Sequence, residues 1–216
     1  MSGTATKKPA AMSRGRGKSQ EKRQLIVKAA SELFVEQGYS NTSMDTIARE
    51  AGVSKQTLYS HFGGKEQLFT AAIDSKCDEY QLDSTHRQDI PDCRHYLEDF
   101  AIHFARLLVS EEAIGIYRVC ASEAGRSNVG KLFWEAGPAK IRSGLIDYLQ
   151  RQVEAGVLHI EDTELAATQL TAMLHSKYHS RALYGVDESV TQEDLQYYAR
   201  SCVDLFLRGY QATSPG

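Results

Sequence analysis

Apolar residues recur with the period of a helix along most of this chain of 216 residues. The first clear run has apolar side chains at spacings of three and four residues, at Leu25, Ile26, Ala29, Ala30, Leu33 and Phe34. Gly38 ends this run, so the pattern predicts a first helix over residues 20–37. Similar runs predict further helices near 44–51, 54–61, 65–83, 93–108, 114–124, 138–156, 163–185 and 190–210, with a short helical turn at 129–133. Because no stretch alternates with a period of two for long enough to form a strand, we predict an all-α fold.

Two of the short predicted helices, with the turn between them, have the pattern of a helix-turn-helix. Ala51 is small enough for two backbones to approach each other, and Gly52 adopts a positive φ without steric cost. Ser54 is placed to cap the following helix and leaves the first amides of that helix facing outward. The outward residues of this helix are hydrogen-bond donors with no acidic side chain among them, namely Lys55, Gln56, Thr57, Tyr59, Ser60 and His61. Such a surface suits phosphate groups and the edges of bases.

The charge of the chain is distributed unevenly. The net formal charge is −3, but residues 1–65 hold 11 Lys/Arg against 5 Asp/Glu and residues 66–216 hold 14 against 23. A basic front and an acidic back favour contact between the front and a polyanion such as nucleic acid. The alternative is that the two halves are simply solvated faces of one domain.

The segment from Thr42 to Phe69 resembles the helix-turn-helix of the TetR family of bacterial transcriptional repressors. The matching residues are Ala29, Ala30, Leu33, Phe34, Gly38, Tyr39, Thr42, Ile47, Ala48, Ala51, Gly52, Val53, Ser54, Thr57, Leu58, Tyr59, His61, Phe62, Lys65, Glu66, Leu68 and Phe69. The resemblance covers about residues 20–70 with its internal spacing intact. It implies that the third predicted helix enters the major groove of double-stranded DNA.

The resemblance also implies which residues contact DNA: Thr42, Ser43, Ser54, Lys55, Gln56, Thr57, Tyr59, His61 and Lys65. Gln56 and Thr57 are expected nearest to the base edges, because a glutamine amide suits bidentate contact with adenine. The two lysines and the side chains of Tyr59 and His61 are expected to hold phosphates, and a hydroxyl before the second helix adds another contact. The alternative for Tyr59 and His61 is packing or ordinary solvated polarity.

Residues 92–210 resemble, more loosely, the C-terminal domain of AefR-like TetR regulators, through GKLFWEAGP at 130–138 and ELAA at 164–167. The resemblance implies a small-molecule inducer, dimerisation through the last two long helices, at about 163–185 and 190–210, and control of efflux or stress genes. We expect a helix-turn-helix domain at 20–66 and a ligand-binding and dimerisation domain at 67–216. Residues 1–19 are small, polar and basic without apolar periodicity, which predicts a disordered basic tail.

Aromatic residues cluster between positions 96 and 148. Most of them are expected in the core, and the alternative is that some line a cavity for an apolar or aromatic ligand within residues 92–185. The candidates for this cavity are Phe100, Phe104, Tyr117, Arg118, Phe133, Trp134, Tyr148, Met173 and Tyr178. Arg118 is expected to pair either with a ligand carboxylate or with Glu123.

The histidines and cysteines leave two alternatives open. His175 and His179 have the spacing of metal ligands on a helix, but no third ligand is evident, so we predict no metal and no cofactor. The four cysteines contain no C-x-x-C pair and are expected to be reduced thiols. Cys120 is expected to be buried, although an exposed thiolate at this position would make the protein a redox-responsive repressor.

The sequence lacks the motifs of a catalytic site, so an all-helical enzyme is the less favoured alternative of another class. A nonspecific architectural DNA-binding protein is also disfavoured, because such a protein would be basic throughout. The chain also lacks an apolar run long enough for a membrane helix. We therefore expect a cytoplasmic, homodimeric repressor that binds a palindromic operator and is released from it by a small-molecule inducer.

Overall fold

The computed structural model of the protein describes residues 13–82, 92–186 and 190–210, with side chains from residue 18 onward. Within these ranges the regular elements are helices: α1 (Ser13–Gln37), α2 (Met44–Glu50), α3 (Lys55–Phe62), α4 (Lys65–Glu79), α5 (Cys93–Leu108), α6 (Glu111–Ser122), α7 (Val129–Ala136), α8 (Pro138–Glu154), α9 (Thr163–Ser176), α10 (Tyr178–Leu183) and α11 (Gln192–Tyr210). The predicted all-α class is confirmed.

α1 begins at Ser13 rather than near residue 20, so it replaces the end of the disordered tail predicted over residues 1–19. Residues 1–12 of that tail lie outside the described part of the chain. Lys18, Ser19 and Gln20 are exposed. Since residues 13–20 contain no apolar residue, they show no apolar period from which the start of the helix could be predicted.

The helix predicted over residues 163–185 is two helices. α9 ends at Ser176 and α10 begins at Tyr178, with Lys177 between them at φ −80° and ψ −67°. Leu174 and His179, on either side of the break, are both buried. The apolar stripe therefore continues through the break, and the hydrophobic period alone does not reveal it.

The first core joins the helix-turn-helix to part of the C-terminal half. Phe34 of α1 packs edge-on against Phe69 of α4, with ring centroids 5.3 Å apart. Val119 of α6 and Val129 of α7 are buried in the same cluster. The predicted domain boundary between residues 66 and 67 thus falls inside one packed core, because α4 packs against both α1 and α7.

The second core is formed by α5, α8, α9 and α11. Its fully buried side chains include Leu97, Leu149, Leu170 and Val203, one from each of these helices. α11 packs along α5 and also contacts α9. The two cores meet where α4 and α6 run between them, and that meeting place holds the cavity described below.

Candidate functional site

Two serine caps define the turn between α2 and α3. The Ser43 hydroxyl accepts a hydrogen bond from the backbone N–H of Thr46 at 3.1 Å, and Ser54 accepts one from Thr57 at the same distance. Each cap satisfies a helix N–H that has no partner within its own helix, which typically stabilises a helix by about 1 kcal/mol. Gly52 takes φ +64° between the two helices, a conformation that a side chain disfavours. The turn therefore holds α3 in a fixed direction.

α3 turns its apolar residues inward and its polar residues outward. Leu58 and Phe62 are buried, whereas Gln56, Tyr59 and Ser60 are exposed. Thr57 and His61 are half-buried, and the Thr57 hydroxyl lies 2.9 Å from that of Ser54. The outer face of α3 therefore carries exposed hydrogen-bond donors, as the sequence predicts.

Lys55, at the start of α3, pairs with a carboxylate on α2. Its Nζ lies 2.5 Å from Oδ2 of Asp45, and both side chains are more than 60% exposed. An exposed pair of this kind contributes on the order of 0–1 kcal/mol, because water screens it and both side chains lose rotamer freedom. The Lys55 ammonium is therefore accessible to a stronger anion.

Thr42 supports this surface and is not part of it. Its side chain is 2% exposed, and its hydroxyl lies 2.7 Å from the carbonyl oxygen of Gly38 and 3.1 Å from that of Leu33. The hydroxyl therefore donates to carbonyls at the C-terminal end of α1. The implied contact between the Thr42 side chain and a phosphate is wrong, and Ser43 is the exposed hydroxyl before α2.

Lys65, the first residue of α4, is half-buried. Its Nζ lies 4.4 Å from the centroid of the Tyr39 ring and donates to the carbonyl oxygen of Ser40 at 3.3 Å. Burial lowers the pKa of the Lys65 ammonium, and the carboxylate of Glu123 acts in the opposite direction. The lysine thus holds the loop between α1 and α2, and its implied phosphate contact stays a prediction.

Glu123, which sequence reasoning placed only beside Arg118, anchors the same loop from the C-terminal half. Its carboxylate accepts hydrogen bonds from the backbone N–H of Ser40 at 2.9 Å and from the Ser40 hydroxyl at 2.5 Å. The side chain is buried, and although burial acts against ionisation, these hydrogen bonds lower the pKa of the carboxyl. The partners lie 83 residues apart in sequence, so no local pattern could have paired them.

A cavity of about 240 Å³ lies where the two cores meet. Four of the nine predicted pocket residues line it, namely Phe104, Tyr117, Phe133 and Trp134. The predicted range of 92–185 is too narrow, because α1 and α4 supply part of the wall through Phe34, Val35, Ala72, Ile73 and Cys77. The helix-turn-helix and this cavity are therefore parts of one packed structure.

The other five predicted pocket residues lie elsewhere. Phe100 is buried in the second core, and the Tyr148 ring stacks on Tyr96 with centroids 3.4 Å apart. Arg118 donates to the carbonyl oxygens of residues 182 and 183 at the end of α10, and its expected pairing with Glu123 is wrong. Met173 lies in a groove between α9 and α11, and Tyr178 packs edge-on against Tyr198.

Polar side chains interrupt the apolar wall of the cavity, and at two places they join different helices. At one, the Tyr117 hydroxyl lies 3.2 Å from Nε2 of His175. At the other, Lys76 of α4 contacts Glu112 of α6 at 2.8 Å and Glu79 at 2.9 Å. Burial alone would lower the pKa of Lys76, but these two carboxylates raise it above its usual value. The lysine is therefore a fully charged group that ties α4 to α6.

The two histidines predicted at metal-ligand spacing contact each other beside the cavity. His175 and His179 stand edge to face with ring centroids 5.1 Å apart. In the described part of the chain no cluster of three or more potential metal ligands occurs. Nδ1 of His179 lies 2.8 Å from the carbonyl oxygen of Leu108, which fixes this ring in the core.

The cysteines are free thiols with raised pKa values. Burial raises the pKa of both Cys77 and Cys120 to about 11, with nearby carboxylates acting in the same direction. Burial also raises the pKa of Cys93 and Cys202. Near neutral pH the reactive thiolate form of each is therefore a very small fraction.

Among the helices of the described residues, none is long and apolar enough to cross a membrane.

Two family profiles match the chain. The profile described as bacterial regulatory proteins of the TetR family matches residues 26–72, and the AefR-like transcriptional repressor C-terminal domain matches residues 95–212. Together they cover the helix-turn-helix and most of the remaining helices.

Curated relatives match part of the chain. The transcriptional regulator SrpR of Pseudomonas putida is 43% identical over 67 residues, which cover 31% of this chain and 32% of that protein. The transcriptional regulator AcrR of Shigella flexneri is 35% identical over 96 residues, covering 44% of this chain and 45% of that protein. The chain thus spans about a third of the first relative and under half of the second.

Solved structures match over nearly the whole length. A TetR-family regulator from Mesorhizobium loti MAFF303099 has a TM-score of 0.73 at 28% identity, covering 90% of this chain and 98% of that one. The flavonoid-responsive regulator FrrA has a TM-score of 0.69 at 31% identity, covering 90% and 100%. The chain belongs to the TetR family of DNA-binding transcriptional regulators, with an AefR-like C-terminal domain, and it is not an enzyme.

Proposed function

We propose that this regulator is a homodimeric repressor that acts in the cytoplasm, binds a palindromic operator through α3 and leaves it when a small molecule fills the cavity. The observation that carries the proposal is the shared wall: α1 and α4, which pack against the helix-turn-helix, also line the cavity. A ligand that contacts Phe34 and Ile73 therefore acts directly on the support of α3. The description of the C-terminal family as repressors supports repression.

Exposed apolar residues on α9 and α11 support the dimer. Leu165 of α9 is 51% exposed, and Tyr197 and Leu205 of α11 are 76% and 63% exposed. Beside Leu205, a groove between the two helices is lined by Met173 and Tyr210. A second copy of these two helices would cover the patch and give two recognition helices for two operator half-sites, which lie ~34–36 Å apart.

The proposed inducer is an uncharged aromatic compound of the flavonoid class. FrrA, whose name states that it responds to flavonoids, is similar to this chain over 90% of its length. The cavity wall supports the same class, since Phe104, Tyr117 and Phe133 present rings to it. Flat aromatic ligands gain favourable edge and face contacts with such rings.

The redox alternative is less well supported. A sensor thiol needs a low pKa and access to the oxidant, whereas burial raises the pKa of Cys120 to about 11. Control of efflux or stress genes stays a prediction from the resemblance of the C-terminal domain.

Selection from a random DNA library tests the proposal. We expect the purified protein to enrich a palindrome, and we expect the hydroxylated flavone apigenin to release that DNA in a fluorescence anisotropy titration. Trp134, the only tryptophan in the chain, lines the cavity, so quenching of its emission reports occupancy independently. Enrichment of non-palindromic DNA would overturn the dimeric operator, and quenching without release would overturn induction through this cavity.

A further inference from the structure

We propose that Tyr117 and His175 form a hydroxyl-recognition subsite in the cavity. The subsite selects aromatic ligands that donate a hydrogen bond over ligands of the same shape that only accept one. The inference rests on the proposed function, because it names the ligand chemistry of the same cavity. Both side chains line the cavity, one from α6 and one from α9.

The backbone fixes the tautomer of His175. Nδ1 of this ring lies 2.8 Å from the carbonyl oxygen of Thr171, one turn earlier on α9. A carbonyl oxygen only accepts, so Nδ1 carries the proton and donates it. Burial lowers the pKa of His175, and the neighbouring His179 acts in the same direction. The ring is therefore neutral near neutral pH, and its Nε2 is an acceptor.

The tautomer in turn fixes the direction of the Tyr117 hydroxyl. The hydroxyl oxygen lies 3.2 Å from Nε2 of His175, which has a lone pair and no proton. Tyr117 therefore donates its hydrogen to His175. Burial raises the pKa of this phenol to about 12, so it keeps its proton. What the pair still offers is the lone pair of the Tyr117 oxygen, which is a hydrogen-bond acceptor.

The surroundings of the pair are aromatic. Phe133 stands edge-on to Tyr117 at 5.0 Å, and Phe104 stands edge-on to His175 at 5.3 Å. The cationic groups of the wall are engaged elsewhere: Lys76 with two carboxylates, and Arg142 over the Trp134 ring at 5.1 Å. These contacts favour an uncharged ligand that fills an apolar space and makes its polar contact at Tyr117.

A ligand hydroxyl completes a chain of hydrogen bonds. It donates to Tyr117, which donates to His175, which donates to the Thr171 carbonyl, and each bond polarises the next. A methyl ether or ketone only accepts. To hydrogen-bond such a ligand, Tyr117 must turn its hydrogen away from His175 and leave Nε2 unpaired in an apolar pocket, which is costly; otherwise the ligand's oxygen stays without a partner. Sites with such buried polar groups discriminate strongly against analogues that cannot complete the pairing.

The direct test uses phenol and its methyl ether, anisole, with binding measured by calorimetry near neutral pH. Both are small enough for an apolar cavity of this size. We expect phenol to bind at least about tenfold more tightly than anisole, and we expect Tyr117→Phe to abolish that preference while retaining anisole binding. The matched control is Tyr178→Phe, since Tyr178 lies outside the cavity on α10, and it should keep the wild-type preference.

The outcomes separate this inference from the proposed function. Equal affinity for phenol and anisole, or binding of neither, overturns the subsite. If the protein prefers phenol to anisole but does not bind apigenin, the hydroxyl-recognition subsite stands and flavonoids are excluded as the inducer class. If Tyr117→Phe does not fold, nitrogen NMR of the wild-type protein decides. We expect His175 to stay protonated only at Nδ1 when phenol binds, and a proton on Nε2 would overturn the proposal.

Discussion

At the residue scale, the polar side chains around the α2–α3 turn divide into two groups. Thr42 and the capping serines satisfy backbone groups. Gln56 and Tyr59 project outward from α3, and Lys55 is held only by an exposed ion pair. The first group determines how stably α3 is held, and the second determines what α3 contacts. The two groups therefore respond differently to substitution.

Thr42→Val tests the first group. The substitution keeps the shape of the side chain and removes the hydroxyl that donates to Gly38 and Leu33. We expect a loss of about 1–3 kcal/mol in the free energy of unfolding, measured in urea, because buried carbonyls lose their donor. The salt dependence of DNA binding should be unchanged. A lower salt slope would instead return Thr42 to the phosphate contacts.

Gln56→Ala tests the second group. We expect it to weaken binding to the selected operator by about 1–3 kcal/mol and binding to random DNA very little, as for a base contact. The matched variant is Lys55→Ala, which should weaken binding to both DNAs and lower the salt slope by about 1. An equal loss on both DNAs for Gln56→Ala would move this residue to the phosphate contacts. Anisotropy titrations at several salt concentrations measure both effects.

Residues that act within their own helix were the most predictable from the sequence. The caps Ser43 and Ser54 act within one turn of their own helix, and the cap at Ser54 was predicted. Thr42 sits next to Ser43 in sequence, but its partners lie on α1, so adjacency gave the wrong role. For the same reason the pairing of Arg118 with Glu123 failed, because both side chains find partners on distant segments.

At the scale of elements, α6 connects the ligand cavity with the loop before the helix-turn-helix. Ile116 and Tyr117 line the cavity, and Glu123 follows the end of the same helix and binds Ser40. Ser40 also accepts a hydrogen bond from Lys65, the first residue after the α3–α4 turn. Under the proposed function, we expect a ligand that displaces α6 to shift both ends of the helix-turn-helix.

Glu123→Ala tests this connection. We expect it to weaken operator binding by about tenfold, because two hydrogen bonds to a charged group are lost and the loop before α2 is released. Glu123→Gln should bind nearly as wild type, since its amide both accepts from the Ser40 N–H and donates to the Ser40 oxygen. The control is Glu36→Ala, an exposed acid on α1. Identical operator affinities for Glu123→Ala and the control would contradict the connection.

Most helices were predictable because each buries one face. The start of α1 and the break between α9 and α10 were predicted wrongly, because the apolar period carries no information at either place. The first turns of α1, residues 13–20, contain no apolar residue, and the break at Lys177 lies within a continuous apolar stripe. A backbone break of this kind depends on packing against neighbouring helices, and α10 contacts both α6 and α9.

At the scale of the whole molecule, α9 and α11 present the apolar surface that we assign to the dimer. Leu205→Glu should give a monomer in sedimentation velocity and lose operator binding, while keeping its helical circular dichroism. The reason is that two-fold symmetry would bury two uncompensated carboxylates in one interface. Leu25→Glu is the control, because Leu25 is 55% exposed and lies on α1. A dimeric Leu205→Glu would place the interface elsewhere.

Only the part of the cavity lining that comes from the C-terminal half could be predicted from the sequence. Aromatic residues such as Phe104 and Trp134 indicated a ligand site within the C-terminal half. That α1 and α4 close the same cavity follows from the packing of α6 against α1 and of α7 against α4, a long-range arrangement with no signature in local sequence. In the proposed function, this arrangement is what couples the cavity to DNA binding.

The most direct test of that coupling is its reciprocity. Operator affinity is measured with and without saturating apigenin, and apigenin affinity is measured through Trp134 emission with and without saturating operator. Because the coupling is a single free energy, we expect both affinities to fall by the same factor, at least about fivefold. An operator affinity that stays constant while Trp134 quenching shows the cavity to be filled would contradict the account.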